Sequence, residues 1–267
     1  MELFFRKFGE GPPLIILHGL YGSSDNWVSV GRALSENFEV YLIDQRNHGR
    51  SPHSPQHNYH LLKEDLLEFM DHQSIEKAII IGHSMGGKTA MFFAADYPER
   101  VNSLIVVDIS PISYKNTDST QLLTHSKIIN SMYNVDFNNV KSRDDIDKIL
   151  AQSIPVKRVR QFLLKNVQRT KNNQFGWSLN IDAISNQLEN IMDGLNVNDF
   201  ENGKEITGFP VLFIKGEKSD YILPQDREKI TKIFPFAEIE SIPNAGHWLH
   251  AEQPKRFIKT IQDFILE

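Results

Sequence analysis

The stretch AIIIGHSMGG at positions 78–87 decides the fold. It begins with a run of apolar, mostly β-branched residues, which is typical of a buried strand, and it continues into a helical pattern that reaches about Tyr97. Between the two lies the pattern G-x-S-x-G, in which Gly82 and Gly86 leave room for a serine on a sharp strand-to-helix turn. The pattern predicts that the hydroxyl of Ser84 projects above the sheet as a candidate nucleophile.

Short apolar runs alternate with helical patterns on both sides of this turn. Residues 3–8 are predicted to form an antiparallel edge strand, because a Gly-Pro-rich turn follows them. The other predicted strands are 14–17, 38–43, 78–81 and 104–107, and the predicted helices between them are 24–36 and 59–72. Such alternation is typical of an α/β fold with a mostly parallel sheet and helices on both faces.

The pattern changes after Pro111. From about 112 to 205 the chain shows helical periodicity, many Asn and Gln residues and no comparable β-rich run. Strand signals return at 211–214 and 237–242, with helices after Pro224 and over 252–266. Because the last strands need the first sheet as a partner, this order predicts an α/β core interrupted by an inserted helical cap. The predicted boundaries are 1–111 and 206–267 for the core and 112–205 for the cap.

Composition restricts the chemistry. The 267 residues suit one core with an insertion, and a formal charge of −5 without a strongly basic block makes nucleic acid an unexpected partner. Cysteine is absent, which excludes disulfides, a thiol nucleophile and thiolate metal sites. Neither a signal peptide nor an apolar run of about 20 residues is visible, so we expect no membrane span and a cytoplasmic protein. Nothing in the sequence indicates the oligomeric state.

Two further motifs support a nucleophilic role for the serine. HGLYG at 18–22 follows the first central strand, where the N–H of Leu20 can pair with the N–H of Met85 as an oxyanion hole. AGHW at 245–248 follows the last strand, where a loop can deliver His247 as general base. The order of nucleophile, acid and histidine along the chain then matches that of α/β-hydrolases.

Five blocks carry a family resemblance: HGLYGSSDNW at 18–27, DQRNHGRSP at 44–52, IGHSMGGKTAM at 81–91, VVDISP at 106–111 and NAGHWLHAEQP at 244–254. In order and spacing they resemble α/β-hydrolase-fold serine esterases, most closely the bacterial YbfF-type esterases. The resemblance implies hydrolysis of carboxylic esters or thioesters, acyl-coenzyme A among them, through a Ser-His-Asp triad and an acyl-enzyme, with a small-molecule substrate and no cofactor or metal. In the cap it is confined to Val167, Trp177 and Asn180.

Two residues compete as the acid of the triad. Asp220 follows the predicted strand 211–214, which is the usual position, whereas the resembling esterases carry the acid one strand earlier, where Asp108 stands. An ionised carboxylate at the end of a buried strand is costly unless a donor such as the His247 imidazole satisfies it. Asp220 lies in a sequence typical of an ordinary turn. We therefore predict Asp108 as the acid, with Asp220 as the alternative.

Substrate contacts are predicted from position alone. The residues expected to bind substrate are Tyr21, His48, Trp177 and Trp248, and the cap side chains expected to wall the acyl pocket are Leu122, Ile128, Met132 and Phe162. Of the first group, Tyr21, His48 and Trp248 lie within the motif blocks, whereas Trp177 lies in the inserted segment. The second group is apolar and lies in the same segment. Because an insertion after strand 104–107 enters above the serine turn, the cap is predicted to set the preference for acyl chain length.

Three other functions remain open at this point. A lyase or a C–C hydrolase would use the same triad, and a non-catalytic binding protein would keep only the pocket. A nucleotide hydrolase is the third, because residues 82–89 also match the phosphate-binding pattern G-x-x-x-x-G-K-[ST], with Asp108 as a magnesium partner. That interpretation leaves the HGLYG and AGHW motifs unexplained, and Lys88 is predicted to lie on a helix surface.

Overall fold

The computed structural model describes residues 1–115, 119–170, 172–200 and 204–266. Its strands are β1 (Phe5–Phe8), β2 (Pro13–Leu17), β3 (Glu39–Ile43), β4 (Ala78–His83), β5 (Val101–Val107), β6 (Val167–Arg169), β7 (Phe175–Trp177), β8 (Val211–Gly216) and β9 (Glu238–Ile242). The helices are α1 (Val28–Leu34), α2 (Tyr59–His72), α3 (Met85–Asp96), α4 (Thr120–Tyr133), α5 (Arg143–Ala151), α6 (Lys157–Leu164), α7 (Ile181–Asn186), α8 (Leu188–Ile191), α9 (Asp226–Ile233), α10 (Leu249–Glu252) and α11 (Pro254–Leu266). Within these ranges, every helix is too short or too polar to span a membrane.

Seven strands form one sheet in the order β1-β3-β2-β4-β5-β8-β9. Only β1 among them runs antiparallel to its neighbour, and the other pairings are parallel. The predicted mostly parallel sheet with an antiparallel edge is therefore confirmed. In such a sheet the carboxyl ends of the parallel strands share one edge, so the loops that follow β2, β4, β5, β8 and β9 meet there.

Helices cover both faces of the sheet because its central strands are apolar on both sides. In β4 the side chains of Ile79 and Ile81 pack with α1 and α11, whereas Ile80 faces the opposite way and packs with α2 and α3. All three are buried. Burial of an isoleucine side chain is worth about 1.5–3 kcal/mol, so the alternation of these faces fixes the register of the strand.

The segment between β5 and β8, which we call the cap, departs from the expected all-helical insertion. It contains α4 to α8 and also the short antiparallel hairpin of β6 and β7, in which Val167 pairs with Trp177. Helical periodicity in the sequence predicts Val167 on one apolar helix face with Phe162, but α6 ends at Leu164. Strands of three residues are too short for a period-two pattern to be recognised in sequence. Residues 116–118, 171 and 201–203 of the predicted cap lie outside the described residues.

Candidate active site

Ser84 lies on a strained turn between β4 and α3. Its backbone has φ 52° and ψ −118°, a conformation that costs about 1–3 kcal/mol in a non-glycine residue. A Cβ on Gly82 would lie 2.3 Å from the carbonyl oxygen of Gly86, and one on Gly86 would lie 2.4 Å from that of Leu17. The turn therefore requires glycine on both sides of the serine. The Ser84 N–H donates to the carbonyl of Val107 at 3.0 Å, which fixes the turn to β5.

The loop after β2 packs directly against this turn. A Cβ on Gly19 would lie 3.0 Å from Cβ of Ser84, so the next residue, Leu20, is held beside the serine. Met85 is the first residue of α3, and the N–H of a first helical residue has no acceptor within its helix. These are the two residues whose N–H groups are predicted to form an oxyanion hole, and the structure brings both to the serine turn.

Tyr21 fixes the position of that loop. Its φ is 62°, in the left-handed region. The N–H of Tyr21 donates to Nε2 of His48 at 3.3 Å, and its carbonyl accepts from Nδ2 of Asn166 in the cap at 2.8 Å. His48 in turn contacts the carbonyl of Arg46 through Nδ1 at 2.9 Å. Because Nε2 accepts, Nδ1 carries the proton, which settles the tautomer of the neutral ring.

His247, the candidate base, is oriented by Asp108, the residue that directly follows β5. Nδ1 of His247 lies 2.7 Å from Oδ2 of Asp108. Asp108 is fully buried, and its other oxygen accepts from the N–H of Gly216 at 2.9 Å, while Ser219 Oγ donates to Oδ2. These donors satisfy a carboxylate that burial would otherwise penalise.

Asp220, the alternative acid, is placed differently. It is exposed, and its main-chain oxygen accepts from Nε2 of Gln121 at 3.3 Å. The structure therefore brings Asp108 rather than Asp220 to the imidazole of His247. With Nδ1 donating to the carboxylate, Nε2 of His247 is left as the basic nitrogen. His247 and Ser84 line the same cavity.

Tyr221 and His125 were missed by the sequence reasoning. The ring of Tyr221 stacks on the imidazole of His247, with centroids 3.9 Å apart and planes 19° from parallel. Its hydroxyl lies 3.2 Å from Nε2 of His125, whose Nδ1 lies 3.3 Å from the hydroxyl of Tyr21. Burial lowers the pKa of His125 to about 4, so the ring is neutral at pH 7. A cap histidine thus links the loop after β2 to the predicted general base, and no motif marks it.

A cavity of about 350 Å³ opens above Ser84 and His247. Its walls are mainly apolar cap side chains, namely Ile128, Ile154, Val156, Val159, Phe162 and Leu163. Tyr21 and Trp248 also line it, as predicted from position, and so do two of the four predicted cap residues. Leu122 and Met132 are not among the lining residues. Such a cavity is of the size and character that binds small apolar ligands.

His48 and Trp177, predicted to contact substrate, are not among the residues that line this cavity. His48 is completely buried behind Tyr21, one layer away from the cavity. Trp177 lies in β7, where its indole N–H donates to the carbonyl of Met132 at 3.3 Å and its ring meets the edge of Phe137. The prediction that these two residues contact substrate therefore finds no support in the cavity, because sequence position cannot distinguish the first layer around a pocket from the second.

Comparisons with known proteins agree with this geometry. A family model described as the alpha/beta hydrolase fold matches residues 12–254. The chain is 38% identical to the sn-1-specific diacylglycerol lipase ABHD11 of Danio rerio, over 98% of this chain and 80% of that protein. It is 32% identical to esterase YbfF of Escherichia coli, over 95% of this chain and 92% of that protein. A solved marine microorganism esterase superposes with a TM-score of 0.94 at 49% identity, covering 99% of both chains.

Proposed function

Because the chain belongs to the alpha/beta hydrolase family, we propose that it hydrolyses carboxylic esters with Ser84 as nucleophile, His247 as general base and Asp108 as the acid of the triad. The observation that carries the proposal is the 2.7 Å contact between His247 Nδ1 and Asp108 Oδ2 beside the strained Ser84 turn. An oriented imidazole that shares a cavity with a serine on a strand-to-helix turn is the arrangement that activates a hydroxyl for acyl transfer.

In the acylation step, Nε2 of His247 removes the hydroxyl proton as Ser84 Oγ attacks the acyl carbon. The carbonyl π electrons move to oxygen, and the N–H groups of Leu20 and Met85 donate to the resulting oxyanion. Asp108 stays ionised and stabilises the imidazolium that forms. The bond to the leaving group then breaks, and His247 gives its proton to the departing oxygen.

Deacylation repeats these movements with water. His247 takes a proton from a water molecule, whose oxygen attacks the carbonyl carbon of the acyl-enzyme. The same two N–H groups receive the second oxyanion, and its collapse breaks the bond to Ser84 Oγ, which recovers a proton from His247. The products are a carboxylic acid and an alcohol, and the triad returns to its starting protonation state.

The substrate class follows from the cavity and from the relatives. The walls of the cavity are mostly apolar, which suits an acyl chain rather than a charged group. One relative is named a diacylglycerol lipase and two others are named esterases. We therefore propose an ester of an apolar acyl chain as substrate. A thioester such as an acyl-coenzyme A presents the same acyl carbon to Ser84, so the two classes have to be separated by measurement.

The test is a panel of p-nitrophenyl esters from acetate to dodecanoate, run beside the matching acyl-coenzyme A thioesters. Ser84→Ala is expected to lower ester hydrolysis by a factor of order 10⁴ to 10⁶ and to abolish labelling by a fluorophosphonate probe. Ser131→Ala is the matched control, because Ser131 is buried in α4 and donates to the carbonyl of Lys127. Substantial activity in Ser84→Ala would exclude the serine mechanism.

A further inference from the structure

Lys88 is the residue that the proposed reaction leaves without a role. It lies one turn beyond the nucleophile in α3, where its N–H donates to the carbonyl of Ser84 at 3.0 Å. The sequence predicts it on a helix surface, and this prediction is wrong, because only 1% of Lys88 is exposed. An unpaired ammonium at such a position is costly, so its partners require an explanation.

The side chain of Lys88 reaches the two stretches of chain that lead into and out of the cap helices α4 to α8. We call 111–115 the entry connection, which follows β5, and 192–195 the exit connection, which follows α8. Nζ of Lys88 donates to the carbonyls of Pro111 at 3.2 Å and of Ile112, both in the entry connection. It also donates to the carbonyl of Asp193 in the exit connection at 2.8 Å. The face of the Tyr114 ring lies 4.9 Å from Nζ.

Three carbonyl acceptors match the three N–H bonds of an ammonium, whereas a neutral amine has only two N–H bonds. Burial lowers the pKa of Lys88, and the negative charges of Asp193 and Asp226 act in the opposite direction. The carboxylate of Asp193 itself pairs with Lys115 at 2.7 Å. The contacts to Lys88 are therefore directed at main-chain oxygens, which fixes the path of the backbone rather than the position of one side chain.

The two connections also touch each other at this point. The N–H of Leu195 donates to the carbonyl of Pro111 at 2.8 Å, and the N–H of Tyr114 donates to that of Met192 at 2.7 Å. A Cβ on Gly194 would lie 2.3 Å from the carbonyl carbon of Ile112, so the backbones are in direct contact. The entry and exit connections are thus hydrogen-bonded to each other, and Lys88 attaches both of them to α3, the helix that directly follows Ser84.

We propose that Lys88 is a positioning residue that fixes the apolar wall of the cap relative to Ser84 by holding both cap connections on α3. The proposal rests on the ester hydrolysis proposed above. The proposal predicts different effects on different substrates, because a decanoyl chain contacts the cap wall over much of its length, whereas an acetyl group contacts little of it. Loss of the Lys88 contacts should therefore raise KM for long acyl esters while the chemistry at Ser84 continues.

The experiment compares Lys88→Met with Lys63→Met. Lys63 is also a buried lysine, but it lies in α2, and its ammonium pairs with the carboxylate of Asp96 rather than with main-chain carbonyls of the cap connections. Fluorophosphonate titration gives the active fraction of each variant, and kcat and KM are then measured on p-nitrophenyl acetate and decanoate. We expect Lys88→Met to keep kcat/KM on acetate within about threefold and to lose about tenfold or more on decanoate, chiefly through KM. We expect Lys63→Met to keep the wild-type ratio of the two substrates.

An unchanged substrate ratio in Lys88→Met, or the same change in Lys63→Met, would overturn the proposal. If Lys88→Met does not fold, hydrogen exchange of the wild-type protein tests the paired connections on which the proposal depends. The amides of Tyr114 and Leu195 should then exchange as slowly as those in the middle of α3, and fast exchange at both would overturn the proposal. A wild type that fails to hydrolyse esters or to react with fluorophosphonate would refute the proposed function, whereas hydrogen exchange tests the pairing of the two connections independently of activity.

Discussion

The serine turn and the cap wall meet at one cavity, yet their geometries are fixed in different ways. At the turn the backbone itself is constrained: Ser84 and Asp108 have φ of 52° and 51°, and Gly86 admits no Cβ. The cap wall is formed instead by apolar side chains such as Ile128 and Phe162 on ordinary helices. Backbone constraints leave a recognisable sequence pattern, whereas a wall of apolar side chains can be built from many residues.

The first prediction concerns Asp108, in the part of the site where the backbone is constrained, and has the largest expected effect. Asp108→Asn should lower kcat by up to about 10⁴, because an amide no longer holds the His247 tautomer in which Nε2 is basic. Asp220→Asn should change kcat much less, because Asp220 is exposed. Steady-state kinetics of the two variants at equal active fraction gives the comparison. Greater damage from Asp220→Asn would reassign the acid of the triad.

A second prediction contrasts a glycine of the turn with a glycine of the cap. A Cβ at Gly86 would meet the carbonyl oxygens of Leu17 and His18 at 2.4 and 2.7 Å, and these backbone atoms cannot move aside. Gly86→Ala should therefore lower the free energy of unfolding by about 2–3 kcal/mol. At Gly176 in the cap hairpin, the nearest atom to a Cβ would be a methyl of Thr170 at 3.1 Å.

Because that methyl can move, Gly176→Ala should change the free energy of unfolding by less than about 0.5 kcal/mol. Urea denaturation of both variants measures the difference, and hydrolysis of p-nitrophenyl acetate reports whether the serine turn is intact. Equal stability of the two variants would mean that the backbone around Ser84 adapts more easily than its contacts indicate.

The same contrast explains which features the sequence could predict. The strand at 78–81 and the glycines around Ser84 follow from backbone or burial requirements that only a few residue types meet. The preference for Asp108 over Asp220 rested on burial and also on the family resemblance. The cap offered no such requirement, so its hairpin at Val167 and Trp177 went unrecognised. Lys88 was misplaced for a related reason: its partners are main-chain carbonyls, and any residue supplies a carbonyl.

A third prediction tests the cap wall. Phe162 lines the cavity and packs on Trp248, with ring centroids 5.4 Å apart. Phe162→Ala should enlarge the cavity and shift the preference toward longer acyl chains by roughly 1–3 kcal/mol in kcat/KM, because longer chains can fill the new space. Phe137→Ala is the matched control, since Phe137 is another half-buried cap phenylalanine and packs on Trp177 instead. A chain-length profile that changes equally in both variants would place the acyl site elsewhere.

The smallest expected effect is on the pH dependence of the free energy of unfolding. Burial lowers the pKa of six histidines, five of them in the core and one in the cap: His18, His48, His57, His83, His250 and, in the cap, His125. The pKa of His125 is about 4 in the folded protein against 6.5 for a free imidazole. The unfolded chain therefore binds the proton more readily, and stability falls as pH drops from about 6.5 toward 4.

His125→Gln isolates the share of this loss that belongs to the cap. Glutamine keeps a neutral donor and acceptor between Tyr21 and Tyr221, so the loss of unfolding free energy between pH 7 and 5.5 should be about 1 kcal/mol smaller than in the wild type. Urea denaturation at the two pH values measures this loss, with His72→Gln on the exposed face of α2 as the control that should leave it unchanged. If His125→Gln lost as much unfolding free energy between pH 7 and 5.5 as the wild type, the cap histidine would take up its proton without unfolding of the protein.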